Sequence, residues 1–247
     1  GSMRLICAKN YQDMSRKAAN LISAQVILCP ESVLGLATGS TPIGIYRQLI
    51  SWYEKGDVDF SKAVSINLDE YCGLSPRDPQ SYSCFMHQNF FDHINIDKKN
   101  TFVASGMGDF EANARELEEK VREGGAADLQ LLGIGNNGHI AFNEASDHLI
   151  AVAHTEKLTE STINANARFF EKKEDVPTMA ITMGMGDILA AKKVVLAATG
   201  LAKVPAIKGL IMDDVITTQN PSTMLKMHED AVVVIDRELA DAVGYRA

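Results

Sequence analysis

The sequence predicts an α/β protein: a doubly wound, mostly parallel sheet with helices on both faces, in a single domain. Three observations predict it. Short apolar runs alternate with amphipathic stretches along the chain. Several of these runs (SVLGLA, LQLLGI, KVVLAA, VVVI) are apolar at nearly every position rather than at every second one. No internal repeat, low-complexity tract or linker interrupts the alternation. Strands apolar on both faces are strands covered by helices on either side, which is how a parallel sheet is buried.

The elements follow in order. Arg4–Ala8 reads as the first strand, and Tyr11, Met14, Ala18, Leu21, Ile22 and Val26 then fall at helical spacing. Ser32–Ala37 is the second strand, followed by a Gly/Ser/Thr loop. A helix marked by Ile43, Tyr46, Leu49 and Tyr53 comes next, with Pro42 near its first turn. Ala63–Leu68 is a strand, Ser81–His93 a helix that Asp78 or Ser81 could cap, and Glu111–Arg122 a charged helix. Leu129–Ile134 is a buried strand. A helix near Thr159–Arg168, a strand at Lys193–Ala198, a helix from about Ala202 and a last strand at Val232–Ile235 complete the series. The layering is Rossmann-like, and the domain is expected to run from Met3 to Ala247. Gly1 and Ser2 ahead of Met3 read as a leftover of expression.

At 247 residues the chain is long enough to bury a full core, and its 46% hydrophobic and 23% charged content is ordinary for a globular protein. The formal net charge of −8 argues against nucleic acid or an anionic membrane as partner. A small anionic substrate remains open to it. Cys7, Cys29, Cys72 and Cys84 form no CxxC pair and no Cys/His ligand spacing, so a reduced, cytoplasmic protein is expected. No run of about 18 apolar residues offers a membrane span. Neither HxxxH nor HExxH occurs and no GxGxxG opens a helix, so neither a metal nor a dinucleotide cofactor is expected.

Ligands of such sheets bind beyond the carboxyl ends of the strands, and four segments leave predicted strands with chemically capable residues. In ATGSTP, Gly39 frees the backbone, Ser40 and Thr41 offer hydroxyls, and the next helix points N–H groups at the loop; that is a phosphate cradle, or a plain capping turn. In NLDEYCGL, Asp69 and Glu70 end an apolar strand. They are either a surface acid pair or a buried carboxylate with the raised pKa of a general base. GIGNNGHIAFNE sets His139 beyond three glycines and Glu144 five residues later, an imidazole with a carboxylate to orient it, or a buried turn with a satisfied histidine. TGLAK places Lys203 at a helix start, and NANARFF adds Arg168; both could hold a phosphate, or be solvated surface charges. His87 and His93, among Phe85, Phe90 and Phe91, read as structural.

Together GLATGSTPIGIY, NLDEYCGL with DPQSY after it, LLGIGNNGHIAFNE, ANARFF and GLAK resemble the glucosamine-6-phosphate deaminase family, over nearly the whole chain. The resemblance implies a cytoplasmic, cofactor-free enzyme that converts glucosamine 6-phosphate and water to fructose 6-phosphate and ammonia. Gly39, Ser40, Thr41, Lys203 and Arg168 would hold the phosphate. His139, oriented by Glu144 and assisted by Asn137 where some members carry Asp, would open the sugar ring, and Asp69 would move a proton from C2 to C1. Alternatives on the same scaffold are a related sugar-phosphate isomerase, a 6-phosphogluconolactonase, or a non-catalytic sugar-phosphate sensor. Ala145 replaces the usual Pro, and Ser146–Thr155 is atypical. Some members are hexamers activated by an N-acetylated sugar phosphate, which leaves a homo-oligomer open here. The positions matching their effector site are His154 and Glu156, ill suited to a phosphate, so no such activation is expected.

Overall fold

A computed structural model describes residues 3–246; Gly1, Ser2 and Ala247 lie outside it. The element order is β1 (Arg4–Ala8), α1 (Tyr11–Leu28), β2 (Val33–Leu36), α2 (Ile43–Glu54), β3 (Val64–Asn67), β4 (Asp69–Tyr71), α3 (Tyr82–Asn89), β5 (Thr101–Phe102), α4 (Phe110–Glu123), β6 (Leu129–Leu132), β7 (His154–Lys157), α5 (Glu160–Asn166), β8 (Met179–Thr182), α6 (Met185–Leu189), β9 (Val194–Ala198), α7 (Val204–Ile211), β10 (Ala231–Asp236) and α8 (Arg237–Val243). All six predicted strands form, within a residue or two of their expected ends.

Seven strands make one sheet in the order β1-β10-β9-β6-β2-β3-β5, and every pairing in it is parallel. The sequence explains the burial: β6, β9 and β10 are buried at every position, as strands sandwiched between helices must be. From β2 the chain steps outward through β3 to β5. From β6 it steps the other way, through β9 to β10. The direction of winding therefore reverses between β2 and β6, which opens a crevice at their carboxyl ends. The four chemically capable segments leave β3, β2, β6 and β9, four adjacent strands astride that reversal.

A second sheet was not predicted. β4, β8 and β7 pair antiparallel in the order β4-β8-β7, and β4 follows β3 after a single residue, Leu68. Leu68 belongs to both sheets, its N–H donating to Leu36 O (3.1 Å) and its carbonyl accepting from Met183 N (2.8 Å). The three strands read DEY, HTEK and MAIT, too short and too polar to carry a period. β5, α6 and α8 also lay unmarked, and α3 and α5 end sooner than predicted, each continuing as a 3-10 turn (Phe91–His93 and Ala167–Phe169). Ser81 caps α3, its Oγ accepting from Cys84 N at 3.0 Å.

Most apolar side chains join one core around the large sheet. A small separate cluster of Tyr71, Phe142, Leu158 and Ala180, with Tyr82, Ile163 and Phe170 against it, lies beneath α5.

Candidate active site

The four strand ends and the α5 segment enclose a cavity of about 340 Å³. Every site residue named from the sequence lines it except Glu144, which lies behind His139. Thr38, Tyr71, Tyr82, Phe142 and Thr162 line it as well.

The loop after β2 is fixed from beneath. Tyr46 Oη accepts from Ala37 N (3.1 Å) and donates to Ala37 O (2.5 Å). Tyr11 Oη contacts the carbonyls of Ser40 and Thr41, each at 3.0 Å, and accepts from Gly44 N at 2.9 Å. One N–H at the start of α2 is thus taken by Tyr11 instead of facing the loop, a correction to the simplest cradle picture. Gly39 adopts φ +99°, with open space where a side chain would stand. The hydroxyls of Thr38, Ser40 and Thr41 come from the same turn, and only the last two stood out in sequence.

Asp69 and Glu70 are adjacent, buried and differently employed. Glu70 accepts three backbone N–H groups, from Tyr71 (2.8 Å), Tyr82 (2.9 Å) and Ser83 (3.0 Å), and so anchors the start of α3. Burial raises its carboxyl to about 7 against those three donors. Asp69 faces the cavity, and among the described residues nothing donates a hydrogen bond to it. Burial, with the Glu70 charge adding to it, raises Asp69 to about 8. A carboxylate that opens onto a cavity with no protein donor bonded to it is free to meet a proton of a ligand.

After β6 a relay forms. Thr162 Oγ1 donates to Glu144 Oε1 (2.7 Å), and Asn137 Nδ2 donates to Glu144 Oε2 (3.1 Å). An ionised carboxylate only accepts, so the amide NH₂ of Asn137 faces Glu144 and its Oδ1 faces His139. That oxygen accepts from the His139 backbone N–H (3.0 Å) and meets Nδ1 at 2.7 Å. Nδ1 therefore carries the hydrogen, and Nε2 is left with a free lone pair and no partner among the described residues. Glu144 was expected to orient the imidazole directly; it stands 3.5 Å from Nδ1 and acts through Asn137. Burial lowers the His139 pKa, the Glu144 charge opposing it and Lys203 adding to it.

The glycines of this segment have separate tasks. A Cβ on Gly135 would stand 2.0 Å from His139 Cε1, so only glycine lets the ring lie across the turn. Gly138 has φ +86°, and a Cβ there would meet Asn220 Oδ1 at 1.9 Å. Ala141 holds φ +53°, unusual for a residue with a side chain, and lines the cavity.

Lys203 Nζ donates to Ile134 O at 2.6 Å, and Arg168 lies over the Phe169 ring at 4.4 Å while donating to Ala165 O. Burial, then the neighbouring Arg168 charge, lowers Lys203. Two cations that repel one another at one cavity wall suit a dianion between them. His154 and Glu156 lie elsewhere, on β7, bonded to each other at 3.0 Å. Burial lowers His154, but Glu156 and the Val152 carbonyl outweigh it and leave the imidazole raised. Among the described residues no group of three His, Cys, Asp or Glu side chains is placed to hold a metal ion, and no helix is long and apolar enough to cross a membrane.

A parallel sheet whose switch-point cavity is lined by a hydroxyl-bearing loop, a carboxylate, an imidazole and two cations belongs to the α/β class and can hold an anion while protons move beside it. The family-wide sequence profile described as glucosamine-6-phosphate isomerases/6-phosphogluconolactonase matches residues 8–234, and the chain belongs to that family. It is 54% identical over 233 residues (94% of this chain, 98% of the relative) to the glucosamine-6-phosphate deaminase of Lachnoclostridium phytofermentans. To that of Thermoanaerobacter sp. (strain X514) it is 50% identical over 242 residues, covering 98% and 95% of the two chains. Among solved structures, a monomeric glucosamine-6-phosphate deaminase superposes with a TM-score of 0.94 at 40% identity, covering 97% of this chain and all of that one. A 6-phosphogluconolactonase from Thermotoga maritima shares the fold alone, with a TM-score of 0.75 at 16% identity and 96% and 100% coverage.

Proposed function

We propose that the chain is a glucosamine-6-phosphate deaminase, converting glucosamine 6-phosphate and water to fructose 6-phosphate and ammonia. The observation that carries this reading is the pairing, across one cavity, of a carboxylate with no protein donor, Asp69, with an imidazole whose Nε2 has no partner among the described residues, His139. A lactone hydrolysis needs one activated water; an aldose–ketose shift with ring opening needs two separate proton carriers.

The residues take roles accordingly. The loop Gly39–Thr41, Lys203 and Arg168 hold the 6-phosphate and fix the sugar's position. His139 Nε2 takes the proton of the anomeric hydroxyl and returns one to the ring oxygen, so the C1–O5 bond breaks and an aldehyde forms. The resulting imidazolium is stabilised by Glu144 through Asn137. Asp69 then removes the C2 proton while the C1 oxygen takes one from the substrate's ammonium, leaving an enediol-type species with nitrogen on C2, and Asp69 returns its proton to C1. Water adds to the C2 imine, and the carbinolamine expels ammonia to leave the ketose. The domain is taken to run over residues 3–247, and a homo-oligomer is compatible with a site whose lining lies at the carboxyl ends of one chain's strands. All four cysteines are unpaired, in keeping with work in the cytoplasm.

A coupled assay for ammonia and fructose 6-phosphate tests the activity; hydrolysis of 6-phosphogluconolactone without ammonia release would replace the reading. His139→Gln should be slow on the cyclic substrate, by about 10²-fold or more, with the defect shrinking on the open-chain form. Equal losses on both forms would remove His139 from ring opening.

A further inference from the structure

Thr162 was not prominent in sequence, yet it supplies the one side-chain hydrogen bond that α5 gives to the relay among the described residues. Its hydroxyl is buried and its direction is settled by its neighbours. Thr159 Oγ1 caps α5 by accepting from Thr162 N (3.2 Å), and its own hydrogen goes to Thr162 Oγ1 (3.1 Å). The Thr162 hydrogen is then left for Glu144 Oε1, at 2.7 Å. Glu144 has one oxygen held by the β6 segment, through Asn137, and the other held by α5. The rest of the α5 seat is apolar, with Ile163 and Phe170 against the small aromatic cluster. Arg168 follows in the 3-10 turn that continues α5, and it lines the same cavity.

We propose that Thr162 is a positioning residue, which through its hydroxyl makes the seating of α5 a condition for Glu144 to serve His139. One short segment then carries both a phosphate cation and the outer end of the proton relay. This inference rests on the deaminase reading only for its kinetic consequence; the coupling itself is a property of the free protein.

The charged groups beside the His139 ring are Glu144 from its own segment and Lys203 from the turn after β9; Asp69 from β4 and Arg168 from the turn after α5 line the same cavity, and α5 itself brings the Thr162 hydroxyl to Glu144. Removing that hydroxyl takes from the buried Glu144 carboxylate one of the two side-chain bonds that hold it beside Asn137. A carboxylate less firmly held 3.5 Å from Nδ1 supports the charged imidazole less, which lowers the affinity of His139 for its proton.

The test compares wild type with Thr162→Val, close in shape but without the hydroxyl, and Thr162→Ser, which keeps it. The pH titration of the His139 ring signals by NMR should move to lower pH in Thr162→Val and stay near wild type in Thr162→Ser. The rate should divide the same way: Thr162→Val loses roughly 10–100-fold in kcat, with KM within about threefold, and Thr162→Ser recovers most of it. A His139 titration unchanged in Thr162→Val, or equal defects in both variants, overturns the proposal. The NMR arm needs no turnover, so a wild type that releases no ammonia defeats the deaminase reading while leaving this coupling to be judged by the titration.

Discussion

The carboxyl edge of the seven-stranded sheet and the cap formed by β4, β8, β7 and α5 meet at the same cavity but are built differently. The edge rises from the main core, where Tyr46 and Phe90 stack at 4.7 Å and every strand beneath the site is buried. Within the cap, β8 packs Ile181 into that same core, while β4 and α5 meet at a smaller cluster of four buried side chains that includes Tyr71 and Phe142. The edge brings His139 and Lys203 to the cavity; the cap brings Asp69, at the start of β4, and Arg168, in the turn after α5. A site divided in this way joins strands buried in the main core to a segment, α5, seated on a smaller cluster.

The largest effect expected falls where the two meet, at Asp69, the first residue of β4. Asp69→Asn should remove about 10²–10⁴-fold of kcat while binding of a substrate-like sugar phosphate persists, measured by turnover and by calorimetry. Near-normal turnover would move the base elsewhere, although Glu70, held by three backbone N–H groups, is poorly placed to take over.

Packing separates the two regions next. Phe90→Ala, in the main core, should cost about 3–5 kcal/mol in urea unfolding. Phe170→Ala, in the cap, should cost under about 1 kcal/mol globally, raise KM, and speed amide exchange in α5. Similar losses of stability for both would mean that the cap is no softer than the edge.

The same Asp69→Asn protein sharpens the comparison through pH. Asp69 has its folded pKa raised, from 3.8 to about 8. Its contribution to stability is therefore fully present below the unfolded value and is lost as pH rises through the folded one. The variant, which cannot ionise there, should melt above wild type at pH 9, with the gap closing toward pH 5. A gap independent of pH would deny that Asp69 is the group being ionised. The smallest effect concerns Ala141. Relief of its left-handed backbone, worth roughly 1–2 kcal/mol for an L residue, less the added freedom of the unfolded chain, should make Ala141→Gly up to about 1 kcal/mol more stable. A loss of stability would show that the Ala141 methyl makes packing contacts that outweigh the strain.

What the sequence disclosed divides along the same line. The large sheet was legible because its strands are apolar on both faces, a pattern that survives without any knowledge of neighbours. Asp69, His139 and Lys203 were legible because polar residues ended those runs. The cap was not. DEY and HTEK are strands only because β8 lies between them, and nothing local distinguishes them from loop. For the same reason Thr162 read as one more helix-start hydroxyl, its partner Glu144 being 18 residues away on another element. The different uses of Asp69 and Glu70 were hidden too, since they depend on where α3 begins.

The position of β10 between β1 and β9 has a consequence for how the protein is made. Among the described residues β1, made ahead of the rest of the sheet, has as its only sheet partner β10, made after all the others. At roughly 5–20 residues per second, β1 waits on the order of ten seconds or more for β10 to emerge. The four strands beneath the cavity, β3, β2, β6 and β9, are all synthesised before then. During translation the centre of the sheet can therefore assemble ahead of its border, and the nascent chain completes its edge last.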